Sequence, residues 1–360
     1  DRELISLIGI HCHNKPMTDY EPIPPPKNFH DQAEHSWTLP AYWYTDSKVF
    51  EKEKKQIFYK NWWYVGTVRQ LSKPGQIFTT TVVDQEVFVI RGEDNVLRAF
   101  YQENFRGTRG VKDIEDFNPS NFGLESVKVE TLIGLVFVNL DANADALTDI
   151  SESMVKDMRA YCPRLDDLVL SKSYELQTAA NWKTLVDNNL ESYHSAVAHP
   201  SLTGLLDYST FEVWEDRFTT CHAMTNSNLD NSAYKVDSKD SVKRAIYSWL
   251  WPNTAFFIAP GPKNLGVFQM VPTGPESSLQ RWEFYFENEQ PTESEQAYLD
   301  WTINTLIPED TALYENVQHG LRSQGYSQGR FVINRNRPEW SEHHVHQFQT
   351  LVRDAIMADC

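Results

Sequence analysis

From Trp62 onward the chain runs in short apolar stretches with a period near two. TTTVVDQEVFVIRG at 79–92, LRAFY at 97–101 and VKVETLIGLVFVNLD at 127–141 are β-branched and broken by Gly, Asp and Asn. They predict a small antiparallel β domain. A helix precedes it at 46–60, capped by Asp46 or Ser47 and carrying Phe50, Lys54 and Phe58. Helical spacing returns from Ser151 to Tyr161, where Pro163 closes it. A strand at Tyr174–Thr178 then leads into a helix dense in polar groups. Further strands are expected near Tyr247–Ile258, Gly266–Pro272 and Gln280–Glu287. Helical pattern fills Ser294 to Gln324 and Glu342 to Met357. Strands followed by long terminal helices predict an α+β fold, in which helix packs on a curved antiparallel sheet. No internal repeat is visible.

These elements divide into an N-terminal extension and arm at 1–45, a β domain at 46–150 and a second α+β domain at 151–360. The arm is rich in Pro and aromatics from 20 to 45, which predicts irregular chain lying over other structure. Residues 1–16 read as an extension ahead of Met17, and His11, Cys12 and His13 there read as part of a flexible end.

Composition narrows the function classes. An apolar content of 41% over 360 residues is globular and fits about two domains, and no apolar run approaches the roughly 18 residues of a membrane span. A net charge of -17 argues against nucleic acid, whose phosphates are bound by Lys and Arg. Cys12, Cys162, Cys221 and Cys360 show no pairing logic and no CxxC spacing, so a reducing cytoplasm is the expected compartment.

The chemistry concentrates in NWKTLVDNNLESYHSAVAHP at 181–200. Two histidines with a carboxylate from elsewhere form the facial triad of non-haem Fe(II), which leaves positions open for O₂. Glu191 and His194, three apart, share a face if the segment is helical. His199 would lie about 140° from His194 on an ideal helix. A shared metal therefore requires the helix to end or bulge, and Pro200 supports that. Two unrelated histidines near a helix end are the alternative. Against it stand Asp187, Asn188, Asn189 and Glu191, a costly polar group to bury unless it serves a site.

The pattern NWK-x3-DN-x2-E-x-YH-x4-HP resembles the iron-binding segment of the Rieske non-haem iron oxygenases, in their α subunits. The resemblance runs from about Pro24 through FYKNWWYVG at 58–66, the β region at 75–140, LWPNTAFF and VPTGPE. Glu191, together with EDTALYENVQHGL at 309–321, is most similar to the branch acting on quaternary ammonium compounds, which includes oxygenases for carnitine and γ-butyrobetaine, glycine betaine, stachydrine and choline. The carnitine type is the most similar, notably in GQIFTTTVVDQEVFVIRG.

This resemblance implies a β domain of Rieske type and a helix-grip, START-like catalytic domain with a long C-terminal helix. It implies Fe(II) held by His194, His199 and a carboxylate from the late helix. Helical spacing places Asp310 on one stripe with Leu313, Tyr314, Val317 and Leu321, facing inward, while Glu309 and Glu315 are expected to point elsewhere. A helix N-terminal role for Asp310 is the alternative. Glu191 would bridge to a cluster-ligating histidine of the next protomer in a homotrimer, or orient His194. Asp187 and Asn188 would support the ligands. Electrons would arrive from NAD(P)H through a flavin reductase and a [2Fe-2S] cluster. For a small cationic substrate, cation–π recognition nominates Tyr193, Trp249, Trp251, Phe256, Phe257 and Phe268, each of which also fits an ordinary sheet core.

One part of the family pattern is missing. A Rieske cluster takes two Cys and two His, as CxH and then CxxH. The family places the first pair after a strand matching LRAFY, yet here that strand continues directly into QENFRGTRGVKDIEDF, and neither pair is present. The junction near Gln102 to Asn104 reflects a gap in the sequence, a natural cluster-less homologue or a deliberate shortening. Two functions follow. One is an oxygenase component that hydroxylates, demethylates or cleaves C–N bonds in a quaternary ammonium compound. The other is a non-catalytic homologue that binds a cationic ligand or pairs with cluster-bearing subunits.

Overall fold

A computed structural model describes residues 23–102, 124–227 and 231–358. The sequence junction beyond Gln102, the His11 to His13 cluster and Cys360 lie outside the described residues. In chain order the elements are α1 (Ser47–Glu53), β1 (Trp63–Thr67), β2 (Ile77–Val82), β3 (Gln85–Arg91), β4 (Leu97–Tyr101), β5 (Ser126–Leu132), β6 (Leu135–Asn139), α2 (Leu147–Tyr161) and β7 (Val169–Thr178). There follow α3 (Trp182–Asn189), α4 (Ser195–Ala198), α5 (Pro200–Leu205), β8 (Leu206–Asp216), β9 (Thr219–Asn226), β10 (Arg244–Leu250), β11 (Thr254–Ile258), β12 (Leu265–Gly274) and β13 (Ser277–Phe286). The chain closes with α6 (Glu293–Trp301), α7 (Ile307–Leu321) and α8 (His343–Met357).

Two antiparallel sheets result. The first has six strands in the order β1-β6-β5-β4-β3-β2. β4 and β5, which flank the sequence junction, pair directly through Ala99 with Val127 and Phe100 with Ser126. The second has seven strands in the order β7-β13-β12-β11-β10-β9-β8. The architecture is the expected α+β one.

Several boundaries moved for identifiable reasons. The side chain of Asp46 accepts from the Lys48 amide and starts α1 as expected. The stretch Tyr247–Ile258 is two strands, because Trp251, Pro252 and Asn253 turn the chain between β10 and β11. Helix α2 begins four residues early, at Leu147, whose side chain is buried. Strands β8 and β9 were not foreseen. TTCHAMTN has no apolar run to mark it, yet its first six residues are buried because neighbouring strands pair on both edges. The late helical region is continuous from α6 to α7 through a π-helical turn at Thr302–Leu306. The wide turn falls just before Pro308, which has no amide hydrogen to give the helix.

Helix α3, which leads to the polar cluster, is held from several sides. The Trp182 ring meets Phe58 at 5.0 Å and Phe348 of α8 at 5.5 Å, both edge to face. Beside it, Lys183 Nζ and Glu53 Oε1 form a 2.5 Å ion pair with both side chains fully buried. Glu53 Oε2 also accepts from Trp182 Nε1 at 2.9 Å. Burial pulls the Lys183 ammonium below its ordinary pKa, against the attraction of Glu53 and Asp187.

Replacing Glu53 with Ala strands that ammonium in the core. Urea unfolding of Glu53→Ala should show a loss of about 3–5 kcal/mol. The double variant Glu53→Ala with Lys183→Met should regain much of it, whereas equal losses in the two proteins would mean that the pair carries no coupling.

Candidate metal centre

The polar cluster begins at the N-terminus of α3. Asn181 caps the helix by accepting from the Lys183 amide at 2.9 Å, and its own amide donates to Gln318 Oε1 of α7 at 3.0 Å. The helix stops at Asn189, so Glu191 and His194 do not share a helical face as their spacing had predicted. A turn follows, in which the His194 amide donates to Glu191 Oε2 at 3.1 Å. One helical turn, α4, then ends at His199, whose φ of -123° and ψ of 68° are non-helical, and Pro200 starts α5. The break that proline imposes on its predecessor turns the His199 ring back toward His194. Their ring centroids are 5.1 Å apart, edge to face.

Asp310 completes the group from α7. His194 Nε2 and His199 Nε2 are 3.2 Å apart, and Asp310 Oδ1 lies 3.0 Å from the second and 3.6 Å from the first. Octahedral bonds of about 2.1 Å at right angles separate neighbouring ligand atoms by about 3.0 Å. The three atoms are therefore spaced as one face around a single ion, and they could hold a metal.

The hydrogen bonds behind the rings agree with that spacing. His194 Nδ1 contacts Glu191 Oε1, and His199 Nδ1 lies 2.8 Å from Glu309 Oε2. A carboxylate only accepts, so each Nδ1 donates outward, and with a metal ion at the centre each Nε2 would present a lone pair to it. Two ring nitrogens and a carboxylate oxygen thus converge, and among the described residues one side-chain amide reaches the same space. That amide is Asn188, its Nδ2 3.0 Å from Asp310 Oδ1 and 3.4 Å from His194 Nε2. Burial lowers the affinity of His199 for a proton, but Asp310 and Glu309 together outweigh it and leave its pKa raised.

Three expectations are corrected here. Glu309 does not point away, because it and Asp310 straddle the His199 ring, one at each nitrogen. The stripe through Val317 does not face inward: Val317 is 51% exposed, while Ile307, Tyr314 and Gln318 form the buried edge of α7. Asp310 reaches the site from the flank of that edge. Asp187 does not touch the histidines, since it follows the helical turn to the other side of Asn188. It accepts from Tyr44 Oη at 2.7 Å and Gln349 Nε2 at 3.0 Å, and burial pushes its carboxyl up to about 7 despite those donors.

Beside the group opens a cleft of about 890 Å³, including its mouth. Phe257 and Phe268 line it as expected. Phe256 does not, because side chains alternate across β11 and it enters the core on the opposite face of the sheet. Trp249 and Trp251 pack around Phe348 at 5.6 and 6.0 Å, beneath α8. Tyr193 is half exposed against Trp340. The sequence reading missed Tyr208, Phe211, Tyr234, Tyr247, Trp282, Tyr298 and Trp301, which also line the cleft. Trp282 stacks on Phe268 at 3.9 Å and on Phe257 at 5.6 Å. Strand alternation in QRWEFYFE would have found Trp282; Tyr208 sits on the unforeseen β8. No described residue lining the cleft is Lys or Arg, and its carboxylates are Glu191 and Asp310.

Known proteins resemble this chain in both sequence and fold. Residues 165–358 match the family of ring hydroxylating alpha subunits, catalytic domain. The carnitine monooxygenase oxygenase subunit of Acinetobacter pittii is 32% identical, over 91% of this chain and 97% of that protein. The spinach choline monooxygenase is 25% identical, over 91% of this chain and 79% of that protein. A solved quaternary ammonium Rieske monooxygenase superposes with a TM-score of 0.84 at 30% identity, covering 94% of this chain and all of the other. Naphthalene 1,2-dioxygenase from Rhodococcus shares the fold at 15% identity, with a TM-score of 0.75. With this family match over more than half its length and a relative above 30% identity along nearly all of it, the chain belongs to the ring-hydroxylating alpha subunits, the oxygenase components of the Rieske-type oxidoreductases.

Proposed function

We propose that this chain binds one Fe(II) through His194, His199 and Asp310 and holds a quaternary ammonium compound in the adjoining aromatic cleft. The observation that carries the reading is the convergence of three electron-pair donors at 3.0 to 3.6 Å, with both Nδ1 protons committed outward. Iron bound there would supply O₂ activation next to a substrate C–H bond, the hydroxylation, demethylation or C–N cleavage chemistry of this family. Asn188 steadies Asp310, and Glu309 and Glu191 fix the two ring orientations. Glu191 would also bridge to a neighbouring protomer in a homotrimer, the role that the family resemblance implies for it. Residues 151–360 form the iron and substrate unit, and 46–150 the β unit, in a reducing cytoplasm where buried Cys162 and Cys221 remain thiols. No helix among the described residues is long and apolar enough to cross a membrane.

The cation reading rests on the wall. Stacked Trp282, Phe268 and Phe257, with Tyr247 and Tyr298, offer aromatic faces in a cleft without a competing Lys or Arg among its described residues. Relatives named for carnitine and choline share the trimethylammonium group, which supports the same class here.

The residues present do not fit a [2Fe-2S] cluster. Between His35 and Cys162 the sequence contains neither Cys nor His, whereas the cluster takes two of each. Reductase-coupled turnover by this chain alone therefore lacks its electron route. That absence favours the second reading, a subunit that binds the cation or pairs with cluster-bearing copies.

Three outcomes are expected. Anaerobic reconstitution should give one Fe(II) per chain by metal analysis, falling to background in His199→Ala and Asp310→Ala; undiminished iron in those variants would sink the ligand assignment. Calorimetry with tetramethylammonium should show affinity about 5- to 30-fold weaker in Trp282→Ala, as for the loss of about 1–2 kcal/mol of cation–π attraction. An unchanged Kd would remove the wall from recognition. The iron-loaded chain should lack the red-brown cluster absorption and should not consume NADH productively with a reductase alone; demethylation under those conditions would refute the electron-route reading.

A further inference from the structure

A second group of histidines lies on the wall of the cleft, away from the metal centre. His222 of β9 lines the cleft on the same sheet face as Tyr247, its partner across β9 and β10. Its Nε2 lies 2.8 Å from Nδ1 of His344, in the first turn of α8. His344 Nε2 in turn lies 3.2 Å from Glu215 Oε2 on β8. The two histidines are 7% and 2% exposed, while the Glu215 side chain is 49% exposed. A line of hydrogen-bonding side chains thus runs from the cleft to solvent.

The terminal carboxylate orders the line. Glu215 only accepts, so His344 carries its proton on Nε2 and presents a bare Nδ1. That atom accepts from His222 Nε2–H, which leaves His222 Nδ1 as the free base. We propose that His222, His344 and Glu215 are a proton relay between the cleft and bulk water. When a hydroxyl group in the cleft releases its proton, the O–H bond breaks and N–H forms at His222 Nδ1. The His222 Nε2 proton passes to His344 Nδ1, and the His344 Nε2 proton passes to Glu215 and then to water. One proton leaves, no electron moves, and both rings end in the opposite tautomer, set for inward transfer.

The surroundings keep both rings neutral, as this sequence of transfers needs. Burial, with His344 and His343 nearby, holds His222 well below an ordinary histidine, and burial with His343 holds His344 at about 3. The other groups facing the line are Tyr247 beside His222, and Glu215, Arg335 and Glu34 around His343.

The relay rests on the reading of the cleft as a quaternary ammonium site, and the test separates the two. The probe is 3-hydroxyphenyltrimethylammonium, whose phenol reports its own deprotonation by ultraviolet absorption. Its affinity is measured first, then its relaxation after a pH jump in the full chain. Glu215→Gln, on the surface, and His344→Gln should bind the probe equally well yet relax at least about tenfold more slowly, as for removal of a proton-transfer group. Relaxation as fast as the parent chain in Glu215→Gln overturns the relay, as does slowing confined to His222→Gln, which would make His222 a ligand contact only. A probe that does not bind refutes the cleft reading itself, visible as a missing isotherm, and removes the relay's cargo with it.

Discussion

Three electron-pair donors held within 3.6 Å of one another repel unless something positive sits among them. The architecture around 181–200 makes sense as a response to that constraint. Each ring is turned by a carboxylate on its far nitrogen, Glu191 for His194 and Glu309 for His199. The backbone contributes a helix that stops at Asn189, one isolated turn and a proline, so that two histidines five apart meet although no continuous helix could bring them together. A π-helical turn before Pro308 sets the phase of α7, from which both Glu309 and Asp310 reach the same imidazole.

Rigid donors need a rigid base, and α3 supplies it through burial. Trp182 is wedged between Phe58 and Phe348, while Lys183 and Glu53 form an ion pair in the buried core. An ion pair so placed contributes little net stability over an apolar pair of the same shape, but it punishes any movement of α1 against α3. The result is positional accuracy at Asn188, about one and a half turns further along the helix.

The seven-stranded sheet then separates roles by parity. On one face Tyr247, Phe257, Phe268 and Trp282 border the cleft, and His222 opens from the same face toward α8. On the other, Phe256 and Val267 fill a separate core. The cluster of His194, His199 and Asp310 and an aromatic wall therefore share one space. The six-stranded sheet is closed through its middle by the pairing of β4 with β5.

Local pattern in the sequence was enough for most strands and for α1, α2 and α8, because periodicity, caps and proline act within a few residues; His194, His199 and Asp310 were nominated by the family resemblance, and it is the tertiary fold that brings them within 3.6 Å of one another. Strand β9 escaped because its burial comes from neighbours rather than from an apolar run, and β8 because it is a largely half-exposed edge strand without one. Glu309 was misread because helical phase predicts which way a side chain leaves the backbone, and not where a long side chain ends beside another element. Four of the six aromatic candidates proved to be core or surface for a related reason: composition nominates an aromatic ring, but only sheet parity and the packing of α8 decide which cavity it meets. The line from His222 through His344 to Glu215 joins three elements and spans more than a hundred residues, and no local periodicity encodes such a contact. The sequence by itself determined which atoms could bind a metal; tertiary packing decided which atoms meet, because distances between remote elements depend on the whole core rather than on any segment.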